Sequence, residues 1–569
     1  MRSFDVLIVG SGGAGLRAAV AALRAGGLSV AVISKMMPTR SATCMAEGGI
    51  NAVLDFPGQK DSLDSHAFDT VKGSDYLGDQ DAIEFFVAKA AEAVKETDFW
   101  GTPYSRREDG SIAGRMMGGH SHPRTNFSAD KTGHILLHSC FDFALGAGTT
   151  FLMDRQLLGV VVDDGVCVGA VVRDLKTGEI EPVQAKAVIL ATGGYTRMYW
   201  LRTSTPYIST GDGVAAALRA GLAFKDPEMI QFHPTGVANG GALITEAARG
   251  EGGHLVNNQG ERFMARYAPD KMELAPRDIT ARAIETEIIE GRGYGEGLTA
   301  YVQLDLRHLG REKILDRLPQ IRHVGLLFEN VDLVEAPLPI RPTAHYSMGG
   351  IDVADFRTMA TGIAGLYAAG ECSCVSIHGA NRLGGNSLAD AMVTGTVAGE
   401  AAAAYAKKAV ATASGLLESQ AAAWRERFRE VTARKNGPHV PELRDKLADL
   451  LWNKLGIFRT GAKLAELQDE LAGLEKAYGE AWVGNDKPVY NSAFTHYLEV
   501  GNLIQLARAA ALAALHRKES RGAHTREDFR QRDDVNFLRH SLVHWQDGDY
   551  RLSYRPAVIG KYQPEVRKY

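Results

Sequence analysis

The sequence predicts an α/β fold in which a Rossmann-like dinucleotide-binding domain carries an inserted α+β domain and is followed by a helical domain. Three observations support this prediction. The first 35 residues read as apolar strand, glycine-rich turn, Ala-rich helix and second strand, the order of a β-α-β unit. Two later apolar runs, 187–194 and 362–371, resemble buried parallel strands that end in glycine turns. From about Ala401 onward, Ala, Leu, Glu, Lys and Arg recur with helical periodicity.

These signals divide the 569 residues into five predicted segments. The dinucleotide-binding domain is predicted over 1–227 and again over 346–405, because its later strands come from a distant part of the chain. The intervening segment, 228–345, mixes strand and helix signals and is predicted to be an inserted domain, here called the capping domain. The helical domain is predicted over 406–535 and a C-terminal tail over 536–569.

Composition excludes some classes of partner. Lys and Arg total 64 and Asp and Glu total 68, a formal net charge of −4, so no nucleic-acid partner is expected. By run length, no apolar segment approaches the about 18 residues that cross a bilayer, and the N-terminus lacks the regions of a signal peptide. We therefore expect a soluble, cytoplasmic protein. The five cysteines are scattered without a C-x-x-C pair, so neither a disulfide framework nor a four-thiolate iron–sulfur site is expected on this chain. No metal-binding residues are predicted.

The N-terminal turn is predicted to bind a dinucleotide. Gly10, Gly12 and Gly15 follow the first strand and open the helix, which lets the backbone approach a pyrophosphate at the helix N-terminus. The acidic residue expected at the end of the second strand is missing, and Ser34 and Lys35 stand there instead. Ribose and phosphate contacts would then come from a hydroxyl and an ammonium, although Lys35 alone also fits an ordinary solvated lysine at a strand end.

A second set of polar residues lies in loops bounded by Gly and Pro. Cationic groups and hydrogen-bond donors outnumber acids among them, which suits a small dianion, because Arg pairs with carboxylates through two parallel hydrogen bonds. Taken singly, each residue also has a structural interpretation, such as a histidine satisfied within the core or an Arg277–Asp278 ion pair. The set comprises His233, Thr245, Glu246, Arg249, Arg277, His345 and Arg382.

Several motifs occur in order along the chain: SGGAGLRAA, AEGGINAVL, ADKTGH, ATGG, TGDG, QFHPTG, TEAARGEGG, APRD, RPTAHYSMGG, GECS, HGANRLGGNSL and ESRGAHTREDF. Together, from Asp5 to Tyr569, they resemble the flavoprotein subunit of succinate dehydrogenase and fumarate reductase. The resemblance implies FAD rather than NAD, and makes the first domain a Rossmann-like FAD-binding domain. The implied FAD contacts are Gly10, Ser11, Gly12, Gly13, Ala14, Gly15, Ser34, Lys35, Ser41, Ala42, Thr43, Gly48, Gly49, Leu157, Asp212, Glu371, Arg382, Ser387 and Leu388, with the backbone near Leu157 touching the adenine.

The same resemblance implies the chemistry of the second set. Hydride transfer between flavin N5 and an alkene carbon would interconvert fumarate and succinate, with Arg277 as the proton donor. His233, Thr245, His345 and Arg382 would hold the two carboxylates and twist one out of conjugation. Because arginine is a weak acid, it needs a proton relay. Glu246 and Arg249, three apart on one helical face, are placed to form it, and their alternative interpretation is a solvated ion pair.

Partners also follow from the resemblance. The sequence shows no nicotinamide site, haem motif or cluster ligand set, so electrons would be exchanged with an iron–sulfur partner subunit. That subunit would be carried by one or more quinone-reactive membrane anchor subunits, which would place the chain in the cytoplasm, peripheral on the inner face of the cell membrane. The helical domain would help to form the interface with the partner, although it also fits an ordinary stabilising bundle.

One position departs from the family pattern. The family usually has a histidine, bonded to the flavin, between the residues that match Ser41 and Thr43, and this chain has Ala42 there. A methyl group offers no nucleophile, so FAD is expected to be bound without a covalent link, which favours fumarate reduction over succinate oxidation. Glu47 also favours fumarate reduction, because fumarate reductases of this family often have Glu where succinate dehydrogenases have Gln. Met117 stands where the family commonly has an aromatic residue before Gly-Gly near the substrate. At this position the resemblance therefore does not carry over the family's preference for dicarboxylates.

Two other functions remain open at this point. L-aspartate oxidase belongs to the same superfamily, binds FAD non-covalently, and has a segment similar to GGHSHPR at 118–124. A tRNA-modifying or scaffolding flavoprotein would keep the fold without this chemistry. The complete His/Thr/Arg set and the absence of a basic composition argue against the second alternative.

Overall fold

A computed structural model describes residues 1–55, 60–410 and 415–566. The last three residues of the predicted tail, 567–569, and residues 411–414 of the predicted helical domain lie outside the described residues. Strands of this structure are β1 (Arg2–Val9), β2 (Val30–Ser34), β3 (Ile50–Asn51), β4 (Gly114–Arg115), β5 (Thr125–Asn126), β6 (Thr150–Met153), β7 (Arg155–Asp163), β8 (Val166–Asp174), β9 (Ile180–Leu190), β10 (Phe224–Lys225), β11 (Ile230–Val237), β12 (His254–Val256), β13 (Val302–Asp305), β14 (Leu338–Ser347), β15 (Gly350–Asp352), β16 (Leu366–Ala368), β17 (Ser373–Cys374), β18 (Phe458–Arg459), β19 (Thr525–Arg526), β20 (Arg539–Gln546) and β21 (Asp549–Pro556).

The α-helices alternate with these strands up to about residue 385 and predominate from there to His516. They are α1 (Gly13–Arg24), α2 (Leu63–Gly73), α3 (Gln80–Phe99), α4 (Thr132–Gly146), α5 (Asp212–Arg219), α6 (Ala247–Gly250), α7 (Met264–Tyr267), α8 (Arg277–Ile289), α9 (Arg311–Arg317), α10 (Pro319–Glu329), α11 (Asn386–Ala406), α12 (Gly415–Ala433), α13 (Val440–Leu455), α14 (Gly461–Gly479) and α15 (Ser492–His516).

The largest sheet confirms that distant segments assemble the dinucleotide-binding domain. Its order is β6-β2-β1-β9-β8-β7, with β16 paired to β9. Strands β2 and β9 flank β1 in parallel, with Val6 opposite both Val30 and Ala187, and β16 runs parallel to β9. Both apolar runs singled out in the sequence therefore enter this sheet. A side chain at Gly10 would place a Cβ 2.1 Å from the Ala191 carbonyl oxygen, so the turn after β1 requires glycine.

The inserted region forms a sheet of its own. Strands β11, β14, β13 and β12 pair antiparallel in that order, over a separate apolar core that includes Ile244, Leu304 and Ile340. Helix α8 packs against β11. This packing brings the first turn of α8 to the side of the capping sheet that meets the predicted dinucleotide-binding domain.

The C-terminal part begins with helices and ends in a hairpin. Buried leucines recur at helical spacing, for example Leu443, Leu447, Leu451 and Leu455 on α13, as expected for one apolar face. Strands β20 and β21 form a hairpin, and β20 pairs with β10 of the first domain. The tail therefore returns to the sheet region of the first domain, and the domain boundaries themselves stay a prediction.

Helix α15 lies within the helical domain predicted from the sequence. Its 25 residues are long and apolar enough to cross a membrane by length and composition alone. However, 72% of its most apolar window is buried inside the protein. The helix serves as a core element here, because it packs against α13, α14 and α5.

Candidate active site

A large cavity lies where the carboxyl ends of the parallel strands meet the capping sheet. One end is bordered by the glycine-rich turn and the other by β11, β14 and the start of α8. It unites most of the residues predicted from the sequence. Those that line it are Gly10, Ser11, Gly12, Gly13, Ala14, Ser34, Lys35, Ser41, Ala42, Thr43, Gly48, Gly49, Leu157, Asp212, His233, Thr245, Arg277, His345, Glu371, Arg382, Ser387 and Leu388.

Three predicted residues stand behind the cavity wall. Gly15 lies within α1, where a Cβ would approach the Gly10 carbonyl oxygen to 1.9 Å, so its glycine serves the packing of turn and helix. Glu246 and Arg249 also lie outside the lining. Their connection to the cavity is through Arg277.

The dinucleotide end has a backbone suited to a pyrophosphate. Helix α1 begins at Gly13 after the glycine turn, and its N-cap residue Gly12 makes no side-chain capping bond, which leaves the first-turn N–H groups after Gly13 available to an anion. Thr43 Oγ1 accepts a hydrogen bond from the Gly13 N–H at 3.0 Å, and the Ser11 and Ser34 hydroxyls are 2.7 Å apart. The turn, the second strand and the loop of Thr43 are thereby held together around one end of the cavity.

This end fits FAD on structural grounds. Within the described residues, the buried hydroxyl of Ser41 has no hydrogen-bond partner, and Ser41 lines the cavity. Buried hydroxyls are seldom left unsatisfied. A bound cofactor with ribityl, phosphate and ring heteroatoms would supply the missing partner.

The Lys35 side chain is only 13% exposed and is enclosed by hydrogen-bonding partners, so the interpretation as a solvated lysine is wrong. Its Nζ lies 2.9 Å from Asp212 Oδ2 and 2.7 Å from Glu499 Oε1, and donates to Thr210 Oγ1 at 2.8 Å. Burial lowers the pKa of Lys35, but the two carboxylates outweigh it and raise that pKa above its ordinary value. The ion pairs join the end of β2 to α5 and to α15 of the helical region.

The loop with the departure from the family pattern borders the cavity. Residues Ala42–Met45 form a short 3-10 helix, and Ala42 presents only a methyl group to the cavity. Gly49 has φ 122°, and a Cβ there would lie 2.6 Å from the Asn126 carbonyl oxygen. Burial and the negative charge of Asp130 outweigh the effect of Arg115 and raise the pKa of Glu47 to about 8.

Two histidines form one wall of the opposite end. The rings of His233 and His345 lie 5.0 Å apart, on the paired strands β11 and β14. Burial, together with the nearby arginine charges, holds the pKa of both well below the ordinary value, so both are neutral at pH 7. His233 Nδ1 accepts from the Thr235 N–H at 3.2 Å, which leaves Nε2 as its donor. His345 Nδ1 lies 2.7 Å from Ser204 Oγ.

Arg382 lies on the loop that precedes α11 and faces the histidines. Its guanidinium carbon stands 4.6 Å from the centroid of the Tyr346 ring, a cation–π distance. Burial and the charge of Arg277 lower the pKa of Arg382 to about 9, and its Nε has no hydrogen-bond partner among the described residues. An anionic ligand would restore both the charge balance and the missing hydrogen bond.

Arg277, Glu246 and Arg249 form a buried chain. Arg277 Nε lies 3.2 Å from Glu246 Oε2, which lies 4.0 Å from Arg249 Nη2. Burial raises the pKa of Glu246, but the two arginines and the Gly118 N–H outweigh it and lower that pKa to about 2. The side chains of Glu246 and Arg249 are 6% and 0% exposed, so the solvated ion-pair interpretation is wrong. Asp278 pairs with Arg282.

The charges at this end favour a dianion. Three buried arginines share one strongly ionised carboxylate, Glu246, while burial raises the pKa of Glu371 to about 7 despite its hydrogen bonds from Ser347. The two neutral histidines do not offset this excess of positive charge. A small molecule with two carboxylates would neutralise this excess and accept the available N–H donors.

Sequence reasoning missed some residues that the structure places at the site. Ser204 contacts His345 and had no local signal. Tyr346 and Thr192 lie inside quoted motifs, RPTAHYSMGG and ATGG, but the pattern assigns them no contact. Gln231, in QFHPTG, contacts two of the site arginines.

Comparison with known proteins agrees with this arrangement. Residues 5–388 match the FAD binding domain family and residues 444–569 match the family of fumarate reductase flavoprotein C-terminal domains. The chain is 58% identical over 570 residues to the 8-methylmenaquinol:fumarate reductase flavoprotein subunit of Wolinella succinogenes, covering 100% of this chain and 93% of that protein. It is 41% identical to the succinate dehydrogenase flavoprotein subunit of Rickettsia conorii, covering 99% and 96%.

Comparison with solved structures also points to fumarate reductase flavoprotein subunits. A quinol fumarate reductase of E. coli matches with a TM-score of 0.95 and 39% identity, covering 99% of both chains. The match includes the sheet of the first domain, the inserted domain and the helical region. The predicted fold class is confirmed.

Proposed function

The chain belongs to the family of fumarate reductase and succinate dehydrogenase flavoprotein subunits, and from this premise we propose that it interconverts fumarate and succinate, with fumarate reduction favoured. As a member it is an FAD-binding oxidoreductase that acts on a carbon–carbon bond. The observation that supports the proposal is the cavity itself, which places the FAD-binding turn and the Arg277, Arg382, His233 and His345 side chains around one continuous space.

FAD would be held by the turn Gly10–Gly13, the hydroxyls of Ser41 and Thr43, and the acidic residues Asp212 and Glu371. When bound, FAD supplies exchange of a hydride between its N5 and one alkene carbon. The protein supplies a site from which β11, β14 and α8 exclude water. Their side chains there act on the carboxylates and on the proton.

The substrate carboxylates are proposed to be held by Arg382, Thr245 and the two histidines. The neutral histidines can donate without repelling the arginines, because burial keeps them unprotonated. Arg382 already lies against Tyr346, so its fork is oriented before the substrate arrives. Donors that hold one carboxylate out of the alkene plane would make the alkene more electrophilic.

Arg277 is the proposed proton donor and Glu246 with Arg249 the proposed relay. A pKa of about 2 keeps Glu246 ionised while Arg277 carries its proton. Once Arg277 gives up that proton, its stabilising charge is lost and Glu246 becomes a better proton acceptor. The relay can therefore return a proton to Arg277 without storing one on the carboxylate.

Non-covalent binding of FAD is proposed because Ala42 borders the cavity without a nucleophilic atom. Acid precipitation tests it: the flavin should remain in the supernatant. The matched variant is Ala42→His, for which the family resemblance predicts flavin colour in the pellet. Flavin that precipitates with the unaltered protein would contradict the proposal.

An iron–sulfur subunit and one or more membrane anchor subunits are the proposed partners. The E. coli structure is named a quinol fumarate reductase and the Wolinella relative an 8-methylmenaquinol:fumarate reductase, which supports exchange of electrons with a quinone. No cluster of three or more potential metal ligands occurs in the described ranges. We propose a cytoplasmic location, peripheral on the inner face of the membrane through these partners.

An anaerobic assay with reduced viologen and fumarate, beside an assay with aspartate and oxygen, tests the activity. Fumarate turnover is expected. Aspartate oxidation is not expected, because the relatives that cover nearly the whole chain are named fumarate reductase and succinate dehydrogenase flavoprotein subunits. Aspartate turnover without fumarate turnover would establish L-aspartate oxidase instead, and no turnover of either would favour a non-catalytic or tRNA-modifying flavoprotein.

A further inference from the structure

Gln231 lies between the two arginines of the active site without lining the cavity. It is the second residue of β11, two positions before His233, and only 1% exposed. Its strand and Arg277 belong to the capping domain, whereas Arg382 belongs to the returning segment of the FAD-binding domain. The Gln231 side chain crosses this junction.

All the hydrogen-bonding atoms of the Gln231 carboxamide are used. Nε2 donates to Asn381 Oδ1 at 2.9 Å and to the Arg382 carbonyl oxygen at 2.8 Å. Oε1 accepts from Arg277 Nη1 at 3.4 Å. The reverse orientation of the amide would set NH₂ against the guanidinium and oxygen against two acceptors, so its partners determine the orientation.

The far side of this link is fixed to the FAD-binding domain. Asn381 Nδ2 donates to the Gly73 carbonyl oxygen at 3.0 Å, at the end of α2. The near side is fixed by the ion pair of Arg277 with Glu246. Gln231 therefore connects the proposed proton donor to the backbone of the proposed substrate-binding arginine.

We propose that Gln231 is a positioning residue that sets Arg277 relative to the Arg382 loop, and that it must be neutral to do so. A neutral acceptor orients Nη1 while leaving Glu246 as the carboxylate that pairs with Arg277. A carboxylate at position 231 would add a second ion pair, which favours the charged guanidinium and opposes release of its proton. This role rests on the proposed function, because it specifies how that reaction's proton donor is aimed.

The test compares two substitutions in the FAD-loaded protein. Gln231→Leu keeps approximate volume but removes all three hydrogen bonds, and kcat for fumarate should fall about 10²-fold, the size expected for misplacement of a reacting group by about 1 Å. KM should change less, because Arg382 retains its contact with Tyr346. FAD content and the melting temperature are measured beside the kinetics.

Gln231→Glu supplies a readout that a purely structural role would not change. The introduced carboxyl would face two acceptors and a guanidinium, and its protonated form would restore one donor and a neutral acceptor. Activity relative to the unaltered protein should therefore rise as pH falls, by up to about tenfold per pH unit for a one-proton step. This near-isosteric variant also serves if Gln231→Leu fails to fold.

Gln80→Leu is the matched control. Gln80 is 1% exposed, and its carboxamide is also satisfied, by a 2.6 Å bond to the Tyr562 carbonyl and a 3.0 Å bond from the Tyr562 N–H. It lies away from the cavity, so its substitution should lower the melting temperature while kcat and the pH profile stay unchanged.

The outcomes separate this inference from the function on which it rests. If the unaltered protein does not reduce fumarate, the proposed function fails and the role of Gln231 fails with it. If the unaltered protein is active and Gln231→Leu keeps kcat within about threefold, the inference alone is overturned. A Gln231→Glu pH profile parallel to that of the unaltered protein would overturn it equally.

Discussion

The two ends of the cavity hold their buried cations in opposite ways. At the cofactor end, the Lys35 ammonium has three partners, two of them the carboxylates of Asp212 and Glu499. At the substrate end, nitrogen atoms of Arg249 and Arg382 have no hydrogen-bond partner among the described residues. In the first cluster every hydrogen-bond donor of the cation has a partner and the net charge is negative, and we call such a cluster saturated. In the second cluster some donors have no partner and the net charge is positive, and we call it unsaturated.

The difference separates a cation that the protein neutralises itself from cations that are left for an anionic ligand. The cluster at Lys35 already neutralises its cation internally, although Lys35 and Asp212 also border the proposed FAD site, whereas an unsaturated cationic cluster is stabilised by an anion that enters it. Substitutions at the two ends should therefore affect different quantities. Those at Lys35 should affect stability, and those at the arginines should affect turnover and substrate affinity.

The largest expected effect is at Arg277. Arg277→Gln should lower kcat for fumarate by about 10³-fold, within the range for loss of a general acid, at unchanged FAD content. Anaerobic viologen oxidation measures it. The control is Arg282→Gln, further along the same helix and paired with Asp278, which should keep kcat within about twofold. Equal losses in both variants would show that the helix, not the proton donor, was affected.

Lys35→Met should remove the ion pairs at the cofactor end. It leaves two carboxylates buried without their cation, so the free energy of unfolding should fall by about 3 kcal/mol. Chemical denaturation measures this change. The double variant Lys35→Met with Glu499→Gln should recover part of the loss, because one uncompensated charge disappears. No recovery would mean that the ion pair is not the source of the loss.

Arg382→Gln should weaken substrate binding at the other end. Loss of a charged hydrogen-bond donor to a carboxylate corresponds to about 2 kcal/mol, which is about a 30-fold rise in the KM for fumarate. The melting temperature should change little or rise, because a buried, partly unpaired cation has been removed. A large drop in stability at unchanged KM would show that Arg382 stabilises the fold rather than binds the substrate, and would contradict the contrast between the two ends.

The smallest expected effect is a pH dependence at Glu47. Its pKa is raised from 4.5 to about 8, so the folded state holds a proton that the unfolded state releases. This contribution to stability is complete below pH 4.5 and is lost as pH rises through about 8. Glu47→Gln should therefore match the unaltered protein at low pH and have the higher melting temperature at pH 9.

The control for that measurement is Glu108→Gln at an exposed position. A surface substitution of this kind should change the melting temperature little. Melting curves with and without FAD should show the same sign for Glu47→Gln. A pH-independent difference for that variant would contradict the assignment of a buried, protonated carboxyl.

Local patterns were enough to predict much of the fold and most of the cavity lining. The glycine turn after β1 and the runs that became β9 and β16 are contiguous signals, because a strand, a tight turn and a helix start are each determined within a few residues. Motif order then identified the family and the two sets of ligand-binding residues.

Ion pairs, hydrogen bonds between distant residues and the burial of single side chains could not be predicted from local sequence patterns. Lys35 and Glu499 are 464 positions apart, and Gln231 meets Asn381 across 150 positions. No window of sequence shows such contacts, so Lys35 could be interpreted as solvated and Gln231 carried no signal.

The sequence by itself determined the family, the glycine-dependent turn and the chemical types of the side chains around the cavity, since these depend on residue identity and short spacing. Only the tertiary structure decided which cation is neutralised and which is left for a ligand. The physical reason is that charge balance in a buried site depends on distances between residues from separate parts of the chain, and folding alone brings these together.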